Sequence, residues 1–173
     1  MAILIDTNVL VRLANNADPD QPVVTKAIAA LHRRGESLFI APQNIVEFRA
    51  VATRPVLVNG LGRSSAEVKI KIVEYLATFL LLEETPAIFP EWLAIVEGLG
   101  VLGKQVHDAR LAACCYVHRL GQVLTFNVSH FSRLPAFRPG LAVLDPTTVC
   151  FRLPSQIGRM GDSVNDSGIR AME

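Results

Sequence analysis

Short apolar runs alternate along this chain with stretches of helical periodicity, and that alternation leaves few folds open. Residues 2–5 are wholly apolar and include two isoleucines, which suits a strand buried on both faces of a parallel sheet. Asp6 closes that run. Residues 37–41, 80–82, 123–126 and 141–144 read as further short strands. Between them the signals are helical. Over residues 18–35, Asp18 or Asp20 can cap, Pro19 or Pro22 fits the first turn, and Val24, Ala27, Ile28 and Leu31 follow the i, i+3, i+4, i+7 stripe. Pro42 starts a second helix that carries Ile45, Glu47, Phe48 and Ala52 and ends before Pro55. Residues 54–63, with Pro55, Asn59, Gly60 and Gly62, form a loop. Ser64-Ser65-Ala66-Glu67 then has the form of a capping box, ahead of an apolar face of Val68, Ile72, Tyr75, Leu76 and Phe79. Residues 86–98, around Phe89, Leu93 and Val96, and residues 104–120 complete the helical set. Strands that alternate with helices imply crossover connections, so the expected fold is α/β: a mostly parallel central sheet with helices on both faces.

A chain of 173 residues fits one domain and buries a full core without disulfides or a structural metal. Composition changes after Pro146, and residues 155–173 are rich in Gly, Ser, Asp and Arg. The expected organisation is a domain over residues 1–146 and a flexible C-terminal extension over 147–173. Half the residues are hydrophobic and only 19% are charged, which excludes intrinsic disorder. With 17 basic and 16 acidic residues, the formal charge of +1 also excludes a global positive field for nucleic acid. Any such binding must come from a local patch or a bound cation. Cys114 and Cys115 are adjacent and Cys150 is remote, so no disulfide framework is indicated. Cys114, Cys115 and His118 have helical spacing, but neighbouring cysteines on a helix point in different directions, which argues against a zinc site. No stretch approaches 18 uninterrupted apolar residues and the N-terminus lacks the pattern of a signal peptide, so a cytoplasmic protein without a membrane span is expected.

Chemistry is sought at the carboxyl ends of the strands, where open α/β sheets bind ligands. Asp6 sits at such an end, followed by Thr7 and Asn8, and could alternatively cap a helix beginning there. Glu47 lies among Ile45, Val46 and Phe48, where a carboxylate is costly unless paired or metal-bound; a surface charge beside Arg49 is the plainer alternative. Asp108 shares a helical stripe with Leu111, Ala112 and Cys115, so it faces the core near a helix start and needs a cation, whether Arg110, Lys104 or a metal. A fourth polar locus, Thr125, Asn127, Ser129 and His130, follows the strand at 123–126; there Asn127 could equally serve as a turn residue with positive φ. Two carboxylates about 4 Å apart repel by roughly 4 kcal/mol at an effective dielectric of 20, so a dry cluster of such acids needs a cation or protons. Mg²⁺ and Mn²⁺ take oxygen ligands, activate water and neutralise charge on a phosphodiester.

Four segments taken in order, Ile5-Asp6-Thr7-Asn8-Val9-Leu10, Asn44-Ile45-Val46-Glu47-Phe48, His107-Asp108-Ala109-Arg110-Leu111-Ala112 and Leu124-Thr125-Phe126-Asn127, resemble those of PIN-domain nucleases, most closely the bacterial VapC-like toxins. The resemblance covers about residues 2–146 and implies a three-layer α/β/α sandwich. It further implies a Mg²⁺- or Mn²⁺-dependent endoribonuclease, commonly a homodimer and held inactive by a cognate antitoxin. Asp6, Glu47 and Asp108 would be the catalytic acids and metal ligands, with Asn127 at the fourth catalytic position. Thr7, Asn8 and Thr125 would orient them. Family members with Asn at that fourth place carry Asp at the place of His130, so this chain lacks the fourth acid and invites a general-acid reading of His130. Arg12, Arg49, Arg54, Lys104 and Arg110 are candidate RNA contacts because they neighbour the acidic motifs. The alternative is a catalytically silent PIN-like domain that binds RNA or a protein partner. A haloacid dehalogenase phosphatase would need an acid where this chain has Asn8.

Overall fold

The computed structural model describes residues 1–149. Its centre is a five-stranded, all-parallel sheet in the order β3-β2-β1-β4-β5, formed by Ala2–Ile5 (β1), Ser37–Ile40 (β2), Leu80–Leu81 (β3), Gln122–Leu124 (β4) and Ala142–Leu144 (β5). Every strand is shorter than or equal to its expected run. Helices α1 (Thr7–Ala14), α2 (Gln21–Arg33), α3 (Pro42–Thr53), α4 (Ser65–Thr78), α5 (Ile88–Leu99) and α6 (Gln105–Val117) connect the strands. Three one-turn helices follow: α7 (Val128–Phe131), α8 (Leu134–Phe137) and α9 (Pro146–Val149).

Alternation along β1 sorts the core into two layers. Ile3 and Ile5 face one cluster with residues of α1 to α4 and α9, while Leu4 faces another built largely from α5, α6 and α7. All three are fully buried, which is why the run carries no polar residue.

The apolar faces of two helices differ from their expected phase. On α4, Val68 and Tyr75 are buried, and Phe79 just beyond it, but Leu76 is 44% exposed: this helix meets the core along a narrow stripe. On α5 the buried pair is Ile88 and Ile95, with Phe89 and Leu93 at the surface. That helix is apolar on most of its circumference, so periodicity alone could not select the inward side. The capping box of α4 forms as expected, with Ser64 and Glu67 exchanging hydrogen bonds. The expected loop after α3 contains a short 3-10 turn, Val56–Val58, and Asn59 there adopts a φ of 60°.

Residues 147–149, expected in the flexible extension, lie in α9, where Val149 is buried and its carbonyl accepts a 2.7 Å hydrogen bond from Arg34 Nη2. The rest of that extension lies outside the described residues.

Candidate active site

Parallel pairing of β1 with β4 sets Ile5 beside Leu124, so the residues leaving both strands, Asp6 and Thr125, meet at one sheet edge. The Asp6 backbone N–H donates to the Leu124 carbonyl at 3.0 Å. Both side chains are buried. Thr125 Oγ1 donates to Asp6 Oδ2 at 2.5 Å, and Asn8 Nδ2 reaches the same oxygen at 2.7 Å and Thr125 Oγ1 at 3.0 Å. Asn8 Oδ1 in turn accepts from the Phe126 N–H at 3.3 Å. Asp6 also caps α1, so the capping reading of this residue holds, and it leaves the carboxylate at the sheet edge. Burial pushes its carboxyl up to about 6, the Thr125 bond opposes this, and the charges of Asp108 and Glu47 add to it.

Glu47 arrives from the middle of α3. Thr7 Oγ1 donates to its Oε2 at 2.6 Å and is itself bonded by Asn44 Nδ2 at 3.0 Å. Asn44 Oδ1 accepts the Ala41 N–H at 2.7 Å, fixing the start of the helix. The other carboxylate oxygen, Oε1, accepts from Gln43 Nε2 at 2.7 Å and lies 3.1 Å from His107 Nδ1. Gln43 and Glu47 are one helical turn apart, a spacing at which side chains meet. Glu47 is therefore a positioned group and not an ordinary surface charge.

Asp108 stands in the first turn of α6, with Leu111, Ala112 and Cys115 of its stripe buried as expected. Burial raises its pKa, while the hydrogen bond and charge of His130 lower it. His130 Nδ1 lies 2.7 Å from Asp108 Oδ2. The side chain that partners Asp108 is thus His130 and neither Arg110 nor Lys104. Arg110 instead bonds Gln43 Oε1 at 3.1 Å and Glu84 Oε1 at 2.5 Å. Asp6, Glu47 and Asp108 each come from a different segment, and the charges of Glu47 and Asp108 reach Asp6.

Asn127 occupies the N-cap position of α7 with φ −85°, so positive φ does not explain its identity. Its backbone N–H donates to Thr125 Oγ1 at 2.9 Å. Of the remaining basic candidates, Arg12 bonds Asp20 and the Asn8 carbonyl and lies 4.3 Å from the Phe126 ring centroid. Arg49 donates to Ser65 Oγ at 2.8 Å, and Arg54 and Lys104 are exposed. No role was legible in the sequence for Gln43, nor for Asn44 and His107 beyond their place in the matching segments. The one available signal was the four-residue spacing of Gln43 and Glu47 on a helix.

Among the described residues, no group of three or more His, Cys, Asp or Glu is gathered closely enough to hold a metal ion. Cys114 and Cys115 are buried free thiols, and burial pushes Cys114 up to about 11, in keeping with a core role.

The PIN domain family matches residues 3–136. This chain belongs to the PIN domain family. No curated protein sequence matches it. Among solved structures with a similar PIN fold is VapBC2 from Rickettsia felis bound to a promoter DNA fragment, with TM-score 0.62 and 15% identity over 84% of this chain and 98% of that one. VapBC-1 from nontypeable Haemophilus influenzae matches with TM-score 0.57 and 20% identity, over 85% of this chain and 99% of that one. PAE2754 from Pyrobaculum aerophilum matches with TM-score 0.56 and 23% identity, over 90% and 97%. The parallel sheet and its flanking layers are therefore the PIN architecture.

Proposed function

We propose that this PIN domain is a metal-dependent endoribonuclease, the toxin of a toxin–antitoxin pair. One observation carries the reading: Asp6, Glu47 and Asp108, far apart in sequence, fold near one another, so that Glu47 and Asp108 act on Asp6 and Glu47 acts on Asp108. Hard oxygen donors suit Mg²⁺ or Mn²⁺, and the upward push on Asp6 and Asp108 is what a bound cation would reverse. Asp6, Glu47 and Asp108 are not gathered closely enough as they stand to chelate an ion, so holding one would require them to draw together, with the Asn127 amide as a neutral fourth group. When bound, such a cation supplies charge for the phosphodiester and acidifies a water. The chain's own part is orientation. Thr125 and Asn8 fix Asp6, and Thr7 and Gln43 fix Glu47. His107 and His130 sit on two of the carboxylates, so loading the ion competes with those contacts.

Membership in a family of nucleases supports hydrolysis of RNA. Similarity to VapBC complexes supports an antitoxin partner. Apolar side chains at the surface of the edge strand and α5, Leu80, Leu81, Phe89 and Leu93, support a homodimer. Among the described residues no helix is long and apolar enough to cross a membrane. The missing fourth acid favours one other reading, a silent PIN domain that binds RNA or protein without cutting.

Cleavage of a mixed panel of structured and single-stranded RNA by the antitoxin-free protein, in Mn²⁺, Mg²⁺ or EDTA, separates the two. Metal-dependent cutting that is lost in Asp6→Asn supports the nuclease. A folded protein that binds the panel and cuts nothing in either metal supports the silent domain.

A further inference from the structure

Arg12 stands on the last turn of α1, close in sequence to Asp6, and RNA is the partner that this position suggests. In the fold its guanidinium is occupied on three sides. Nε donates to Asp20 Oδ2 at 3.3 Å, Nη1 donates to the Asn8 carbonyl at 3.1 Å, and Cζ lies 4.3 Å from the centroid of the Phe126 ring. Two of these partners, Asn8 and Phe126, are themselves joined, since Asn8 Oδ1 accepts the Phe126 N–H at 3.3 Å. Asn8 Nδ2 also reaches Asp6 Oδ2 and Thr125 Oγ1, and Thr125 Oγ1 accepts the Asn127 N–H at 2.9 Å. Arg12 therefore grips both ends of the link between the start of α1 and the chain leaving β4. Asp20, at the head of α2, anchors it from behind.

We infer that Arg12 is a positioning residue, which clamps the segment 125–127 against the start of α1 and so fixes Asn127 relative to Asp6. Its effect on rate rests on the ribonuclease reading; the clamp itself does not. Arginine is required for a geometric reason. A guanidinium is planar, so its face can stack on a ring while its edge donates to two oxygens, whereas the ammonium of lysine is a point charge that cannot do both. A phosphate contact, by contrast, needs chiefly the charge. A group displaced at a reacting centre lowers rate more than substrate affinity, so the clamp and the phosphate contact leave different kinetic marks.

Arg12→Lys separates the two roles, because it keeps the charge and loses the plane. Amide hydrogen exchange of the full chain is followed by NMR in EDTA, without RNA. In Arg12→Lys and Arg12→Ala alike, the Phe126 and Asn127 amides are expected to exchange at least tenfold faster than in the parent, while the amides of β1 keep their rates and report an intact fold. In cleavage assays both variants are expected to lower kcat about tenfold and leave KM for RNA unchanged. Phe126→Leu, which removes the ring and keeps an apolar side chain, is expected to give the same loss, and no further loss when combined with Arg12→Ala. Exchange at the parent's rate in Arg12→Lys overturns the clamp, as does a KM that rises in Arg12→Ala and is restored in Arg12→Lys, the mark of a phosphate contact. Faster exchange in both variants upholds the clamp even where the parent cuts no RNA, in which case only the ribonuclease reading fails.

Discussion

His130 Nδ1 lies 2.7 Å from Asp108 Oδ2, so an imidazole and not a fourth carboxylate faces the acid of α6. The contact changes what the missing acid costs. A fourth carboxylate would add to the repulsion already felt by Asp6 and Asp108, whereas the ring opposes the effect of burial on Asp108. The site is thereby less demanding of a cation when empty.

Removing that ring gives the first prediction. In His130→Ala the main opposition to burial at Asp108 is gone and only the weaker effect of His107 is left, so its pKa rises further. Cation binding needs the ionised carboxylate, and the pH at which Mn²⁺ binding is half-maximal is expected to move up by about one unit. Calorimetric titration across a pH series reads this. A profile that does not move means His130 leaves Asp108 untouched in solution.

Asp6 yields a stability prediction of opposite sense to the usual carboxylate. Its folded pKa, about 6, lies above the ordinary 3.8, so the folded state holds the proton more tightly than the unfolded state. Stability is then full below the unfolded value and declines as pH rises through the folded one. Asn at this position keeps an acceptor for Thr125 and Asn8 without the buried charge. Asp6→Asn in EDTA is expected to gain up to about 3 kcal/mol at neutral pH and nothing near pH 4. Thermal melts of both proteins across that range check it, and Mn²⁺ is expected to stabilise the parent alone.

A buried phenol far from the acids tests the packing. Tyr75 Oη donates to the Leu10 carbonyl at 2.6 Å and its ring meets Phe48 edge-on with centroids 5.1 Å apart. Burial raises its pKa, so it stays neutral and donating. Tyr75→Phe keeps the ring contact and removes one hydrogen bond to a carbonyl that also serves helix α1, a loss of about 0.5 to 1.5 kcal/mol in chemical denaturation. RNA cleavage is expected to be unchanged at a temperature where the variant is folded.

Much of this architecture is legible in the amino-acid sequence. Residues 2–5 had to be a buried parallel strand because they offer no polar face, and Ser64 to Glu67 had to cap a helix because their side chains serve local backbone groups. Both are local facts. Asp6 was legible as a candidate because it ends a buried strand, Glu47 less so because its apolar neighbours also fit a surface charge, and Asp108 because a carboxylate on an apolar stripe needs a partner. The identity of that partner was not, since His130 reaches Asp108 only through the meeting of α7 with α6, a tertiary event with no spacing to betray it. The inward side of α5 was hidden for a different reason, because a helix apolar nearly all round presents several equivalent stripes.

Arg110 shows the same limit from the other side, as a residue whose sequence neighbourhood suggested RNA and whose contacts within the chain the sequence did not reveal. Its guanidinium spans Glu84 and Gln43, and Gln43 passes the restraint to Glu47. Gln43 also donates to the His107 carbonyl at 3.0 Å, which ties α3 to α6. If the role of Arg110 is to steady Gln43, Gln43→Leu should lower kcat roughly tenfold with little change in KM, since misplacing a ligand-bearing group costs rate more than substrate affinity. Arg110→Ala should do less, and should do nothing further once Gln43 is gone, a coupling that a double-mutant cycle measures directly. If Arg110 instead touches RNA, its removal should raise KM equally in the parent and in the Gln43→Leu background.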